Sequence, residues 1–239
     1  MIIIPDIHGR KFWERIIDEK PENEKIIFLG DYTDPYPIEG IEQETIPDSI
    51  RKIIELKEKF PEDIILLLGN HDLSYVYSGL PKCRFDRERQ QEIQKLFTAN
   101  RQYFQLAYKT GKYVFSHAGF LQHWIDTEDF YFQNPTNYDD IVNKLNSDWW
   151  DLNDSQLCNV LNSVSFWRGG YSQTGSCIWA DVREFYTLDK LWDANEMYQI
   201  FGHTRSKKEI ITPEWAMLDA RNIYKLNENT TTIKIFENE

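Results

Sequence analysis

The chain has 239 residues, of which 41% are hydrophobic and 28% are charged, and its formal net charge is −12. These proportions are typical of a globular protein, and the length accommodates one larger α/β domain or two small ones. The acidic balance disfavours a broad electrostatic grip on nucleic acid, because such binding needs basic surface that displaces counterions from phosphates.

Cysteine usage and the N-terminal segment indicate the compartment. Cys83, Cys158 and Cys177 are far apart and form no CxxC pair, so neither a disulfide framework nor a zinc finger is predicted. The first residues lack the basic segment that opens a signal peptide, and no apolar run approaches the ~20 residues of a membrane span. We therefore expect a cytoplasmic protein with reduced thiols and no membrane partner.

Strand-like and helix-like segments alternate through the first third of the chain. Short apolar runs predict buried strands at 1–5, 25–29 and 64–68, and apolar residues at helical spacing predict helices at 10–20 and 48–60. This alternation predicts parallel strands joined by crossover helices. In such sheets, ligands bind at the carboxyl ends of the strands.

The middle of the chain predicts a long helix at 86–109 and a strand at 112–115. The region from 122 to about 183 is less regular and carries five tryptophans. We interpret it as an insertion that caps a ligand site at the carboxyl ends of the strands. These tryptophans suit either core packing or, less well without interleaved basic residues, a stacking platform for a base.

The last part of the chain predicts a helix at 188–194 and a strand at 198–201. Alternating stretches at 215–219 and 232–236 predict a hairpin that closes the sheet. Nothing in the sequence has the composition of a linker that would force two domains, so we expect residues 1–239 to form a single domain.

Five short motifs each follow an apolar run, and together they hold four of the five histidines: DIHG (6–9), GDYTD (30–34), GNHD (69–72), SHAG (116–119) and FGHT (201–204). Because such positions lie at strand ends, we expect the motifs to converge on one site.

The residue types in these motifs suit metal coordination. Six side chains are candidate ligands: Asp6, His8, Asp31, Asn70, His117 and His203. Asp6 and His8 flank one residue, so on extended backbone both point to the same face and can share a cation. Asp31 is a carboxylate that can bridge two ions. The mixed oxygen and nitrogen set suits Mn, Fe or Zn better than Ca or Mg.

In order and content, these motifs resemble the calcineurin-like metallophosphoesterases from Asp6 to Thr204. The DxHG opening and the unpaired last histidine are similar to the serine/threonine protein phosphatase branch, and Arg205 stands where many phosphodiesterase branches have a second histidine. GNHDL and SHAGFLQHW also resemble symmetrical diadenosine tetraphosphatases. The resemblance implies a four-layer α/β/β/α sandwich of two mixed β-sheets flanked by helices.

The resemblance also implies a role for each motif residue. His71 would not be a ligand but would face the leaving-group oxygen, oriented by Asp34, and would act as a general acid or stabilise charge in the transition state. Two metal ions, Mn or alternatively Fe or Zn, would activate the attacking water. The first ion would be held by Asp6, His8 and Asp31, and the second by Asp31, Asn70, His117 and His203.

The chain departs from the protein phosphatases directly after Asp34. Their GDxVDRG motif supplies an arginine that grips the substrate phosphate, whereas this chain has Pro35 at that position. Arg168, Arg183 and Arg205 are the candidate replacements, because a guanidinium binds phosphate oxygens in pairs. Arg183 is favoured, since it follows a WAD segment similar to the WSD segment of protein phosphatases.

The sequence therefore predicts a metal-dependent phosphoesterase, most simply a phosphomonoesterase of the serine/threonine protein phosphatase type. A nucleotide hydrolase resembling diadenosine tetraphosphatase is the alternative. A non-catalytic metal-binding interaction protein is disfavoured, because every implied ligand and His71 are intact. The expected substrate is a phosphorylated small molecule, a nucleotide or a phosphoprotein, and nucleic acid is not an expected partner.

Overall fold

The computed structural model describes residues 1–18, 24–151, 154–187, 191–192 and 197–238. The strands are β1 (Ile2–Ile4), β2 (Ile26–Phe28), β3 (Ile64–Leu67), β4 (Phe104–Gln105), β5 (Ala107–Thr110), β6 (Tyr113–Ser116), β7 (Tyr198–Phe201), β8 (Ile210–Ile211), β9 (Trp215–Met217), β10 (Asn222–Asn227) and β11 (Thr232–Asn238). The helices are α1 (Glu14–Asp18), α2 (Ile46–Lys59), α3 (Asn70–Val76), α4 (Gln90–Ala99), α5 (Gln122–Thr127), α6 (Asp129–Phe132), α7 (Tyr138–Trp150), α8 (Asp154–Leu161) and α9 (Glu184–Thr187). Within these ranges, none of the helices has both the length and the apolar character that a membrane crossing requires.

The strands form two mixed sheets. The first has the order β11-β10-β1-β2-β3-β4, with β1 to β4 parallel and β10 and β11 antiparallel. The second has the order β5-β6-β7-β9-β8, with a parallel centre and antiparallel edges. The predicted parallel arrangement of the first three strands is confirmed.

Each central strand of the first sheet is buried on both faces. Ile2 and Ile4 of β1 pack in the same core cluster as Ile50 of α2. Ile3 points the other way, into a layer that also contains Phe115 of β6. Burial on both faces explains why these strands are continuous apolar runs rather than alternating patterns. The expected architecture of two mixed sheets flanked by helices is confirmed.

Helix α2 is the crossover between β2 and β3. Its buried face includes Ile50, Ile53 and Ile54, which recur at helical spacing. Pro47 lies in the first turn, where the missing N–H has no intrahelical partner to lose, and two lysines lie in the last turn. The helix therefore packs against the first sheet and returns the chain to begin β3 in parallel.

The predicted helix at 86–109 is wrong over its second half. Helix α4 ends at Ala99, and after a short 3-10 turn the chain forms β4 and β5. Phe104 pairs with Leu66 of β3, and Tyr108 pairs with Phe115 of β6. Strand pairing with two different sheets outweighs the helix-like apolar spacing of this segment.

The predicted hairpin of 215–219 with 232–236 is wrong, because the two stretches lie in different sheets. In the second sheet, Met217 of β9 pairs with Phe201 of β7 in parallel. In the first sheet, Ile235 of β11 pairs with Tyr224 of β10 in an antiparallel hairpin. The predicted helix at 188–194 falls mostly outside the described residues.

The region 122–183 is more regular than expected, since α5 to α8 occupy its described part up to Leu161. Trp124 and Trp149 are fully buried in the core of the first sheet and its helices. The indole N–H of Trp124 donates to the carbonyl of Val160 at 3.3 Å. Core packing therefore accounts for these two tryptophans.

Candidate active site

The motif residues meet at the carboxyl ends of parallel strands from both sheets. Asp6 follows β1, Asp31 follows β2, and Asn70 begins α3 just after β3. From the second sheet, His117 follows β6 and His203 follows β7. All five side chains are buried. The fold thus gathers residues that are as many as 197 positions apart in the sequence.

One cluster of lone-pair atoms forms around His117. Its Nδ1 lies 2.8 Å from the carbonyl oxygen of Leu29. A carbonyl only accepts, so Nδ1 carries the proton and Nε2 offers a lone pair in the neutral ring. The Nε2 atom lies close to three further ligand atoms: His203 Nδ1 at 3.0 Å, Asn70 Oδ1 at 3.1 Å and Asp31 Oδ2 at 3.4 Å.

A second cluster forms around His8. Its Nδ1 lies 2.9 Å from the carbonyl oxygen of Thr33, which again leaves Nε2 as the free lone pair. This Nε2 lies 3.5 Å from Asp31 Oδ2. A ring nitrogen of His71 completes the group, and the three ligand atoms lie within 4.8 Å of one another. Asp31 therefore belongs to both clusters.

Asp6 lies beside these clusters and is held by the second sheet. Its two carboxylate oxygens accept hydrogen bonds from the backbone N–H of His203 at 3.0 and 3.1 Å. A Cβ atom at Gly202 would lie 2.2 Å from Asp6 Oδ1, so this approach requires glycine. Arg10 donates to the backbone carbonyl of Asp6. The carboxylate thus bonds to backbone amide and stays outside the His8 cluster.

The protonation of the cluster residues fits cation binding. Burial lowers the pKa of His8 to about 3 and that of His203 well below its usual value, so both rings keep a lone pair at neutral pH. Burial would raise the pKa of Asp31, but His117 and His71 beside it hold it well below its usual value. Burial also lowers the pKa of His117, yet neighbouring carboxylates raise it to about 10. Converging lone pairs repel each other unless a proton or a metal ion lies between them, and these residues fit either.

Backbone strain concentrates in the same loops. Four of their non-glycine residues have φ in the left-handed region: His8 (46°), Asp31 (53°), Asp34 (58°) and His203 (67°). Such conformations are costly and persist where surrounding structure enforces them, often at functional sites. A Cβ at Gly69 would lie 2.1 Å from Asp31 Oδ1, so the GNHD loop approaches that carboxylate as closely as only glycine permits.

His71 is held by both neighbouring carboxylates. Its backbone N–H donates to Asp31 Oδ1 at 3.0 Å, and its ring Nδ1 lies 2.7 Å from Asp34 Oδ2. Asp34 is fully buried and also accepts from the hydroxyl of Tyr75 at 2.5 Å. Burial lowers the pKa of His71, but Asp31 and Asp34 outweigh it and raise the pKa above its usual value.

A cavity of about 630 Å³ opens over the two clusters. One part of its wall consists of motif residues: His8, Asp31, Asn70, His71 and His203. The rest of the wall includes two loops, 81–84 and 168–172, the second of which belongs to the 122–183 region. The cavity is therefore bounded by the candidate metal ligands and by chain segments that carry basic side chains.

Arg168 is the arginine predicted from sequence that lines this cavity. Its Nη2 donates to the carbonyl of His203 at 3.2 Å and to Thr204 Oγ1 at 2.7 Å, and its Nε lies 2.9 Å from Asp181 Oδ2. These contacts fix the guanidinium beside the last motif. Its planar fork is thereby oriented before any ligand arrives.

The other two predicted arginines lie outside the described cavity wall. Arg183 forms an ion pair with Asp181 at 2.7 Å, its side chain is 52% exposed, and its guanidinium lies 4.6 Å from the ring of Trp167. Arg205 is exposed and lies 4.6 Å from the ring of Tyr36. The structure therefore places Arg168, rather than Arg183, at the cavity.

A fourth arginine, which sequence reasoning missed, also lines the cavity. Arg84 Nη2 lies 3.2 Å from His71 Nε2, and its Nε donates to the backbone carbonyl of Asp34 at 2.9 Å. No motif marks this residue. The only signal in the sequence is a short cluster of basic residues, 82–89, in an otherwise acidic chain.

Asp72 is a second residue that sequence reasoning left without a role. Its Oδ1 accepts from the backbone N–H of Tyr32 at 2.8 Å, and its Oδ2 accepts from that of Gly69 at 3.0 Å. Burial and the nearby Asp31 raise its pKa to about 7. Asp72 therefore ties the GDYTD loop to the GNHD loop. Its position three residues after the helix cap was a readable signal.

The sequence matches the family model of the calcineurin-like phosphoesterases over residues 1–205, so the chain belongs to that family. It is a phosphoester hydrolase with a family-type site for divalent metal ions, and its His and Asp clusters can bind metal. No curated protein matches the chain significantly.

Two similar solved structures have the same fold. One is the cold-active protein-tyrosine phosphatase of a psychrophilic Shewanella species, with 14% identity, a TM-score of 0.61, and coverage of 99% of this chain and 80% of that one. The other is a protein serine/threonine phosphatase from Saccharomyces cerevisiae, with 12% identity, a TM-score of 0.55, and coverage of 100% and 79%. At such low identities the likeness shows the fold alone.

Proposed function

We propose that the chain is a two-metal phosphomonoesterase of the protein phosphatase type. One observation carries the proposal: Asp31 belongs to both candidate metal clusters, and residues of both clusters line the same cavity as His71. Two-metal hydrolases place their ions ~3.5–4 Å apart, a spacing that one carboxylate can span.

We keep the ligand set predicted from the sequence: Asp6, His8 and Asp31 for one ion, and Asp31, Asn70, His117 and His203 for the other. Asp6 lies beside the His8 cluster rather than within it, so its carboxylate would have to turn toward the ion. The mixed set suits Mn, with Fe and Zn as alternatives. When bound, the ions would lower the pKa of water and stabilise the charge that develops on the phosphate. His71 also lies within ligand range of His8, but we assign it to proton transfer because the family resemblance implies that role.

His71 would protonate the leaving group. Asp34 accepts from Nδ1, so the protonated ring carries its second proton on Nε2, the nitrogen opposite Asp34. That proton passes to the ester oxygen as the bond from phosphorus to the leaving group breaks. The hydrogen bond to the buried carboxylate of Asp34 favours the protonated ring, as a general acid requires.

Arg168 would orient the substrate from the opposite loop, since its guanidinium lines the cavity and is fixed by Thr204 and Asp181. We further propose that 122–183 caps the site within a single domain of residues 1–239, because 168–172 forms part of the cavity wall. Arg183 and Arg205 are weaker candidates for phosphate binding, since neither is among the described wall residues.

Nucleotide hydrolysis of the diadenosine tetraphosphatase type is the second candidate. The side chain of Tyr171 is fully exposed and lies on the cavity wall, three residues after Arg168. An exposed ring beside a cation suits the stacking of a base whose phosphates lie in the cavity. Phosphomonoester hydrolysis is preferred, because the two similar structures carry the names of protein phosphatases.

The test is a substrate panel. Metal-stripped protein is reloaded with Mn or Fe and assayed on p-nitrophenyl phosphate, its bis-ester, phosphotyrosine and phosphoserine peptides, and diadenosine tetraphosphate. We expect metal-dependent turnover of the monoesters and little turnover of the bis-ester. Preference for diadenosine tetraphosphate would favour the second candidate, and no hydrolysis with either metal would refute both.

A matched pair of variants links this activity to the site. Asp31→Asn removes the carboxylate that both clusters share, so we expect it to lose bound metal and turnover. Asp126→Asn makes the same chemical change at an exposed position of α5 and should retain both. Equal metal content and activity in the two variants would contradict the shared role of Asp31.

A further inference from the structure

Three neighbours lie around the guanidinium of Arg84. Its Nε donates to the backbone carbonyl of Asp34 at 2.9 Å, its Nη2 lies 3.2 Å from His71 Nε2, and its guanidinium carbon lies 3.9 Å from the ring centroid of Tyr36. The residue itself has a left-handed backbone, with φ of 55°. A planar cation is thus fixed over the cavity by a hydrogen bond to backbone and by stacking on an aromatic ring, and its Nη2 lies beside His71.

The guanidinium of Arg84 has no carboxylate partner among the described residues. Its polar contacts are to the backbone carbonyl of Asp34, to the sulfur of Cys83 at 3.9 Å and to the ring of His71. Arg168 and Arg183, in contrast, both pair with Asp181. An ordered arginine that lines a cavity without a carboxylate partner is suited to bind an anion that enters the cavity.

The position of Arg84 corresponds to a departure noted in the sequence. Protein phosphatases carry an arginine directly after the residue equivalent to Asp34, whereas this chain has Pro35. Arg84 donates to the carbonyl of Asp34, which belongs to the peptide bond between Asp34 and Pro35. A guanidinium therefore reaches this part of the site from a residue 50 positions further along the chain.

We propose that Arg84 binds the non-bridging oxygens of the substrate phosphate and selects phosphomonoesters over diesters. This inference rests on the proposed function. Nη2 lies near His71 Nε2, so an anion bound by Arg84 presents its leaving-group oxygen to the proposed acid. A monoester dianion offers a free oxygen pair to the fork of Arg84 in addition to any contact with Arg168. A diester has one fewer free oxygen and one less charge, so it gains less from the second fork.

The test compares two arginine substitutions on the same segment of the metal-loaded, full-length protein. Arg84→Ala removes the proposed contact, and Arg87→Ala removes a like charge from an exposed position outside the described cavity wall. Loss of one preorganised donor typically costs ~10²–10³ in rate. For Arg84→Ala we expect that loss in kcat/KM on p-nitrophenyl phosphate, but roughly tenfold or less on its bis-ester. Arg87→Ala should match the wild type on both substrates.

Binding of inorganic phosphate, measured by calorimetry, separates this inference from the proposed function. We expect Arg84→Ala to weaken phosphate binding at least tenfold, Arg84→Lys to restore it in part because it keeps charge without the fork, and Arg87→Ala to leave it unchanged. If the wild type binds phosphate but hydrolyses no ester, the proposed function fails while the role of Arg84 is still measured. Wild-type phosphate affinity in folded Arg84→Ala, checked by circular dichroism, or equal losses on monoester and diester, would overturn the inference.

Discussion

Replacing Asp34 with asparagine tests the proposed proton transfer, because it exchanges one carboxylate oxygen for an amide nitrogen and hardly changes the shape of the side chain. The hydroxyl of Tyr75 donates to Asp34 Oδ1, so the amide oxygen would face Tyr75 and the amide nitrogen would face His71 Nδ1. An amide nitrogen only donates, so Nδ1 must become an acceptor and the single proton of the ring moves to Nε2. The ring is then neutral and a poor acid.

The expected loss follows from the contribution of general acid catalysis. That contribution is roughly 10²–10⁴-fold, which equals about 2.7–5.4 kcal/mol at 1.36 kcal/mol for each tenfold change. The upper end applies to a phosphoserine peptide, whose alkoxide leaving group needs the proton. The lower end applies to p-nitrophenyl phosphate, whose phenolate leaves readily. Bound metal should not change, because Asp34 belongs to neither metal cluster.

The assay measures kcat for both substrates and metal content by mass spectrometry. Tyr75→Phe is the control, since it removes only the other hydrogen bond of Asp34 and should cost about 0.5–1.5 kcal/mol, or roughly 2- to 13-fold. The acid assignment is refuted if fully metal-loaded Asp34→Asn hydrolyses the phosphoserine peptide within about threefold of the wild-type rate, a loss far below that contribution.

Three further predictions concern the cavity and its support. Cys83 is exposed on the cavity wall, so alkylation of its thiol with N-ethylmaleimide should abolish turnover. Added phosphate should slow the alkylation, and the Cys83→Ser variant should keep its turnover under the same treatment. Stoichiometric labelling of Cys83 without loss of turnover would contradict this prediction. A methyl group at Gly202 would collide with Asp6, so Gly202→Ala should lose bound metal and activity, as measured by metal analysis and assay. Burial raises the pKa of Asp181, but its two arginine partners outweigh it and lower the pKa, so Asp181→Asn should reduce the free energy of unfolding by about 1–3 kcal/mol at pH 7. The pKa of Asp181 is lower in the folded protein than in the unfolded chain, so its ion pairs stabilise the fold fully above the unfolded pKa of ~4. This stabilisation is lost as the pH falls through the folded pKa. In urea unfolding at pH 3, the wild type and Asp181→Asn should therefore differ less in their free energy of unfolding than at pH 7.

The parts of the fold that the sequence predicted are those whose local pattern and tertiary environment agree. Runs such as 64–68 are apolar throughout because both sheet faces are covered, and their ends carry Asp31 and Asn70 where ligands collect. Strand β10 was missed because Ile223 and Tyr224 are buried in succession at a register shift, which breaks the alternation that marks a half-buried strand. Phe104 was assigned to a helix because its strand partner, Leu66, lies far away in sequence.

The residues of the site also fall into two groups, those that the sequence predicts and those that only the structure reveals. Metal-type residues such as His117 occur in short motifs at strand ends, so their convergence could be predicted from spacing and topology. Arg84 could not, because its position depends on a hydrogen bond to Asp34 across 50 positions and on stacking against Tyr36. The choice between Arg168 and Arg183 also depended on the structure. Both pair with Asp181, but of the two Arg168 is the one among the described wall residues of the cavity.

The most direct test of the central claim is anomalous diffraction from crystals of the protein loaded with Mn. The proposed two-metal site predicts two peaks ~3.5–4 Å apart, both within bonding distance of Asp31, with one also beside His8 and the other beside His117. A single peak, or peaks that do not share Asp31, would contradict the claim that one carboxylate organises a two-metal phosphoesterase site.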